Sequence, residues 1–271
     1  MDKENNSKEI EKATPLKITD VERILDFQKI LDKIAQNGDG KFHAKLKSKY
    51  SPTELCGCLR NAWYSRIFPV PYDAESYRAF LFGNMVHEMF QKNLDYPDRY
   101  KMFKDTELLD RVSFVESEKG FHYLLPFEKT EGRRVIISGR LDSIIFLKGA
   151  EKPIIVDYKT TKAIKYNLTE PKDAHISQVN FYLGCTLGDH GIIVYIDKGT
   201  FQIVQHTIHY SYDRFQKMID FAVDLDNAIE KKKCPKIDKS EMAKEGYCSY
   251  CKYAKECKLE EDKGGKKWLS L

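Results

Sequence analysis

The sequence has no apolar run approaching the roughly 18 residues that a membrane-crossing helix needs, although 42% of its residues are hydrophobic. A membrane span is therefore not expected. The N-terminus is charged from Asp2 onward and carries no apolar stretch of the secretory type. The expectation is a cytoplasmic protein, where thiols stay reduced, so a disulfide framework is the poorest reading of its seven cysteines. No internal repeat and no low-complexity tract occurs. Strong net charge is also missing: the formal value is +4 over 271 residues, weak evidence by itself for a nucleic-acid partner. Its distribution says more. Residues 231–267 hold 12 Lys against 7 Asp and Glu, which leaves the first 230 residues near −1. The run Lys231-Lys232-Lys233 reads as a solvated helix end, or, beside a nucleic-acid site, as a means of tracking phosphates. The chain is long enough to bury a substantial core as one large domain or two small ones.

What is present is an alternation of helical and strand patterns. Residues 1–14 are polar and read as disordered. Residues 18–36 put Val21, Ile24, Leu25, Ile30, Leu31 and Ile34 on one helical face, and Asn37-Gly38-Asp39-Gly40 ends it. Ser51 caps a further helix with Pro52 at its first position. Helices are expected at 80–94, 173–187 and 212–232. Strands are expected at 111–117, 121–127, 133–147, 153–161, 191–197 and 201–210. This is an α/β pattern: a mixed sheet flanked by helices.

Two of these strands carry chemistry. Residues 133–147 and 153–161 are rich in Ile and Val and joined by a short glycine-containing turn. The first contains Gly139-Arg140-Leu141-Asp142 and the second Asp157-Tyr158-Lys159. Strand side chains alternate between faces, so Asp157 and Lys159 share one. Two carboxylates and a lysine at one end of a hairpin are the minimum equipment for metal-assisted phosphodiester cleavage. Either half alone reads equally well as a surface salt bridge on an edge strand. His87 upstream and Gln178 with Tyr182 downstream, each on a helical stretch, favour the chemical reading. Gln178 and Tyr182 are four apart and face the same way. Glu88, beside His87, reads nearly as well as a solvated carboxylate.

Four of the cysteines make a second pattern. Cys248-x2-Cys251-x5-Cys257 lies after the acidic strands, and Cys58 lies far before them in Cys58-Leu59-Arg60-Asn61-Ala62-Trp63-Tyr64. Four thiolates suit an iron–sulfur cluster or a tetrahedral zinc site, and spacing does not separate the two. Cys56 competes with Cys58 as the first ligand. Cys185 sits in an apolar helix and reads as core packing. Cys234 has no assigned role.

Over roughly residues 50–260 the order His87, Asp142, Asp157-x-Lys159, Gln178-x3-Tyr182, framed by one cysteine before and three after, resembles the RecB-like branch of the PD-(D/E)XK nucleases. Within that branch it looks most like the iron–sulfur exonucleases of CRISPR adaptation, the fourth core Cas family. The resemblance implies a restriction-endonuclease-like mixed sheet with a small C-terminal iron–sulfur lobe. It implies residues 1–45 as an extension with one helix, 46–232 as the nuclease core, and 233–271 as the cysteine lobe completed by Cys58. It implies a 4Fe-4S cluster on Cys58, Cys248, Cys251 and Cys257, with Arg60 and Tyr64 matching the motif around Cys58. It implies Mg2+ or Mn2+ on His87, Asp142, Asp157 and the Tyr158 carbonyl. Lys159 would position water or stabilise phosphate charge, and Gln178 and Tyr182 would orient the lysine and the strand. The implied activity is a DNA exonuclease on single-stranded 5′ ends, trimming DNA before spacer integration beside the integrase proteins. A repair or recombination exonuclease and a non-catalytic DNA-binding adaptor are the alternatives. The helix at 18–36 would cover the core or make an oligomer or partner contact.

Overall fold

The structure, a computed structural model, describes Lys33 and residues 48–95, 111–162, 164, 170–236 and 247–262. The expected segments at 1–14 and 18–36 lie outside them, apart from Lys33. In chain order the elements are β1 (Lys49–Tyr50), α1 (Pro52–Leu55), α2 (Leu59–Ile67), α3 (Ala74–Asp95), β2 (Val112–Leu124), β3 (Ile136–Leu147), β4 (Ile154–Thr161), α4 (Asp173–Thr186), β5 (His190–Asp197), β6 (Ile203–His209), α5 (Tyr212–Glu230) and α6 (Ala254–Asp262). Tyr72–Leu81 groups into a separate compact unit. Every site residue discussed below lies in the other, Phe42–Pro71 with Phe82–Leu271.

The strands form one mixed sheet in the order β1-β3-β4-β5-β6, with β2 on β3. β1 and β3 run parallel, as do β4 and β5, while β2–β3, β3–β4 and β5–β6 are antiparallel. The segments 111–117 and 121–127, expected as two strands, are one long strand. Its pairing with β3 shifts register only between Val112 and Phe114 and then runs in one register to Leu124, straight through Glu118, whose backbone is left-handed at φ 55°.

Both faces of the sheet are covered, which explains the unbroken Ile-Val runs. Ile155, Ile193 and Tyr195 join a large cluster with Val179, Phe181 and Leu183 of α4 and Met218, Ile219 and Leu225 of α5. The alternate residues Val156, Tyr158, Val194 and Ile196 pack with Val86, Phe82 and Phe90 of α3. Ser51 does cap α1, its Oγ accepting from Glu54 N, with Pro52 in the first turn. That helix is short, because the chain breaks at Cys56-Gly57-Cys58 before α2 begins with Cys58 as its N-cap residue.

One feature of the sheet prepares the site. β2 lines β3 from Val112↔Leu147 to Leu124↔Ile136, so β1 and β4 must share the other edge. β1 takes Ile136 and Ile137 there, and β4 takes Ser143, Ile144 and Ile145. Between them β3 and β4 part, and Asp142 stands at the fork.

Candidate active site

Asp142 closes the fork chemically. Its Oδ2 accepts the backbone N–H of Tyr158 at 2.8 Å, where a ladder carbonyl would otherwise serve. Asp157, one residue before Tyr158 in β4, is only 1% exposed. Lys159, two residues on and on the same face, brings Nζ to 2.8 Å from Asp157 Oδ2. Burial pushes the Asp157 carboxyl up to about 6, and Lys159 offsets only part of that. Burial would lower the Lys159 pKa, yet the charges of Asp157 and Asp142 leave it raised.

α3 brings His87 to the same place, its Nδ1 3.5 Å from Asp142 Oδ2. Burial pulls the His87 pKa down, while its interaction with Asp142 more than compensates and leaves it raised. One turn on, Gln91 Nε2 donates to the Asp142 carbonyl at 3.2 Å and to Glu118 Oε1 at 2.8 Å. Glu118 also pairs with Arg140 at 2.8 Å. Glu88 is turned away, in an exposed ion pair with Lys92, which favours its reading as a solvated carboxylate.

From the other face α4 contributes Gln178 and Tyr182, joined by a 2.8 Å hydrogen bond from Gln178 Nε2 to Tyr182 Oη. Burial, reinforced by the Asp157 charge, raises the Tyr182 pKa. His175, one turn earlier on the same stripe, shares a 2.8 Å hydrogen bond with Tyr195 Oη. Gln91, Glu118 and His175 were missed in the sequence. The i,i+4 spacing of His87 and Gln91, and the i,i+3 spacing of His175 and Gln178, are the signals that point to two of them.

The buried Asp157 carboxylate accepts no well-aligned hydrogen bond at either oxygen among the described residues. Lys159 Nζ at 2.8 Å from Oδ2 meets part of that demand, and a further cation would meet the rest. Two carboxylates, a main-chain carbonyl and an imidazole are also the donor types that Mg2+ and Mn2+ accept. By donor type the residues therefore suit such an ion. As they stand, no three His, Cys, Asp or Glu among the described residues are grouped to hold a metal.

The cysteines divide into two environments. Cys56 Sγ donates to the Pro52 carbonyl at 3.0 Å. Burial raises its pKa, and Lys159 and Asp157 are the charges it feels. The C-terminal segment instead packs on α2. Asn61 Nδ2 donates to Cys251 Sγ at 3.3 Å and Arg60 to the Cys257 carbonyl at 3.4 Å. Tyr253 stacks on Tyr64 at 5.5 Å and donates to the Phe68 carbonyl at 3.0 Å. Cys185 is partly buried against the main core, as expected.

Two acids and a lysine gathered where a mixed, helix-covered sheet splits define a class, the phosphodiester-cleaving nucleases of restriction-endonuclease-like fold. Residues 43–258 match the PD-(D/E)XK nuclease superfamily, and the chain belongs to it. The crystal structure of SSO0001 is similar in fold, with TM-score 0.54 and 20% identity over 84% of this chain and 94% of that one. Two further likenesses are weaker and bear no weight below. One is an alkaline exonuclease from Laribacter hongkongensis, with TM-score 0.35 and 13% identity over 68% and 91% of the two chains. The other is a phage-related exonuclease from Haemophilus somnus 129PT, with TM-score 0.38 and 14% identity over 64% and 82%. No curated protein matches the sequence. No helix among the described residues is long and apolar enough to cross a membrane.

Proposed function

We propose that the chain is a divalent-metal-dependent DNA exonuclease. The observation that carries this reading is the Asp157 carboxylate, buried and without an aligned donor, beside Lys159 and the Asp142 fork. His87, Asp142, Asp157 and the Tyr158 carbonyl would hold Mg2+ or Mn2+. When bound, such an ion acts as a Lewis acid on the phosphoryl oxygen and lowers the pKa of water. The side chains do the rest. Lys159, kept charged by its two acids, meets the developing phosphate charge and orients the attacking water. Asp142 is fixed by Tyr158 N, and Gln91 ties its main chain to α3. The Gln178–Tyr182 pair orients the lysine and the strand.

Cys58, Cys248, Cys251 and Cys257 would bind a 4Fe-4S cluster, zinc being the alternative. The Asn61 amide donates to Cys251 Sγ, and hydrogen bonds to sulfur are one way a protein tunes such a cluster. The separate setting of Cys56 favours Cys58 as the first ligand. In this reading residues 46–232 are the nuclease core and 233–271 a lobe that the cluster ties back to α2. The order of motifs supports a finer role: trimming single-stranded 5′ ends in the cytoplasm before CRISPR spacer integration, beside the integrase. A repair exonuclease shares the same site, and a neighbouring integrase gene favours the first role over it.

The test is Mn2+-dependent degradation of end-labelled single-stranded DNA by anaerobically purified protein and by Asp157→Ala. Stepwise shortening by the wild type alone is expected, and labelling each end reads polarity. Cleavage by neither protein, with the metal cluster intact, would leave the non-catalytic DNA-binding adaptor.

A further inference from the structure

We infer that the tip of the β5–β6 hairpin, Lys198 to Phe201, forms with Phe82 and Lys162 a platform for single-stranded DNA beside the active site. Phe201 stacks on a base, and the two lysines meet the flanking phosphates. The inference rests on the nuclease reading above and adds how that site takes its substrate.

Position is the first argument. The tip lies at the carboxyl ends of the parallel strands β4 and β5, where ligands gather in open α/β sheets. Lys198 N donates to the Thr161 carbonyl at 2.8 Å. Thr161 lies two residues beyond Lys159 in β4, about 7 Å along the strand, and Phe82 packs on the α3 face of the sheet, the face from which His87 reaches Asp142.

The conformation of Phe201 is the second. It is 51% exposed and sits at φ 58°, a left-handed backbone that a bulky side chain avoids and that marks functional strain where the surroundings enforce it. They do. Asp197 Oδ1 accepts from Gly199 N at 2.8 Å and Thr200 N at 3.0 Å, its Oδ2 accepts from Ile164 N at 3.3 Å, and its carbonyl accepts from Phe201 N at 2.9 Å. A rigid turn thus holds an aromatic ring in solvent.

The third is the company it keeps. Phe201 and Phe82 lie 6.3 Å apart, centroid to centroid, and Lys198 Nζ stands 5.5 Å over the Phe82 ring. Partial burial and then repulsion from Lys162 hold the Lys198 pKa below the usual lysine range. Two repelling ammonium groups beside an exposed ring that leans on a half-buried one suit an anionic polymer with free base faces. That describes a single strand, because stacking platforms need unpaired bases.

The experiment is fluorescence anisotropy of a 5′-fluorescein oligothymidylate titrated with the full chain in EDTA at several salt concentrations. Phe201→Ala weakens binding about tenfold or more. Phe201→Gly, which relieves the left-handed backbone, does the same, so misfolding does not explain the loss. Phe201→Trp keeps the affinity and shows quenched indole emission. Lys198→Gln reduces the log–log salt slope by about 0.7. Phe201→Ala and Phe201→Gly proteins that bind within twofold of wild type overturn the platform, and would point to a protein partner for these rings. Mn2+-dependent cleavage of the same oligonucleotide separates the two readings. Phe201-dependent binding without cleavage keeps the platform and removes the nuclease. Cleavage with Phe201-independent binding does the reverse.

Discussion

A carboxylate as deeply buried as Asp157 loses the water that would stabilise its charge, and its neighbours in the protein restore only part of it. A bound cation should restore the rest, and the effect is readable without any turnover. An ion that binds the native state and not the unfolded chain stabilises the fold by about 2.7 kcal/mol at a hundredfold excess over its Kd, and the proposed site predicts this for Mn2+. The wild-type Tm therefore rises with Mn2+, and that of Asp157→Asn does not. An equal rise in both would place the ion elsewhere. His175 gives a pH dependence of defined sign. Burial, then the charges of Lys159 and Lys172, push its pKa from 6.5 down to about 3. Between those values the unfolded chain binds a proton that the native chain does not, so stability falls as pH drops from 6.5 toward 3. In His175→Gln the urea midpoint should lose much of that acid slope. An unchanged slope would show that other groups carry it.

At the scale of elements, the packing of α4 on α5 depends on the absence of a side chain. A Cβ at Gly184 would overlap the Phe215 ring, so Gly184→Ala should destabilise by about 1–3 kcal/mol, measured by chemical denaturation. A cost near zero would mean that the ring swings aside. β1 is only Lys49–Tyr50, too short to hold itself by its ladder. Tyr50 Oη donates to buried Asp226 Oδ1 of α5 at 2.7 Å, and Arg133 Nε holds the other oxygen at 2.9 Å. Tyr50→Phe removes one of those donors from a buried acid and should cost about 1–3 kcal/mol. A loss below about 0.5 kcal/mol would show that Arg133 suffices alone.

At the scale of the whole molecule, the described C-terminal segment, 247–262, reaches the core through α2. Its buried anchor is Tyr253, held by Tyr64 and the Phe68 carbonyl. A metal cluster spanning Cys58 and the last three cysteines would close that long loop, and loop closure is where a cross-link restricts the unfolded chain most. Cys251→Ala is therefore expected to lose cluster colour, loosen the lobe to proteolysis, and lose DNA cleavage together. Full colour and full activity in that variant would exclude Cys251 as a ligand.

Much of this could be read along the chain because it depends on short-range periodicity. Alternation in β4 put Asp157 and Lys159 on one face, and helical spacing paired Gln178 with Tyr182. Those relations follow from backbone geometry, which every residue shares. Ile-Val runs likewise marked the strands, while the covering of both sheet faces became visible only in the fold. The expected break in β2 was not there, because β3 pairs with it in one register from Phe114 to Leu124, a long-range choice that overrides the local turn signal. Gln91, Glu118 and His175 remained hidden because their meaning lies in partners distant along the chain, the Asp142 carbonyl, Arg140 and Tyr195. Cys56 and Cys58 competed in the sequence as first ligand, the motif fitting Cys58 better, and only the fold shows that the Cys56 thiol donates to the Pro52 carbonyl. Local periodicity thus supplied the chemical groups and their shared faces. The fork between β3 and β4, which gathers them, arose only when β1 and β4 divided one edge of β3, since strand pairing is a long-range choice that no local pattern encodes.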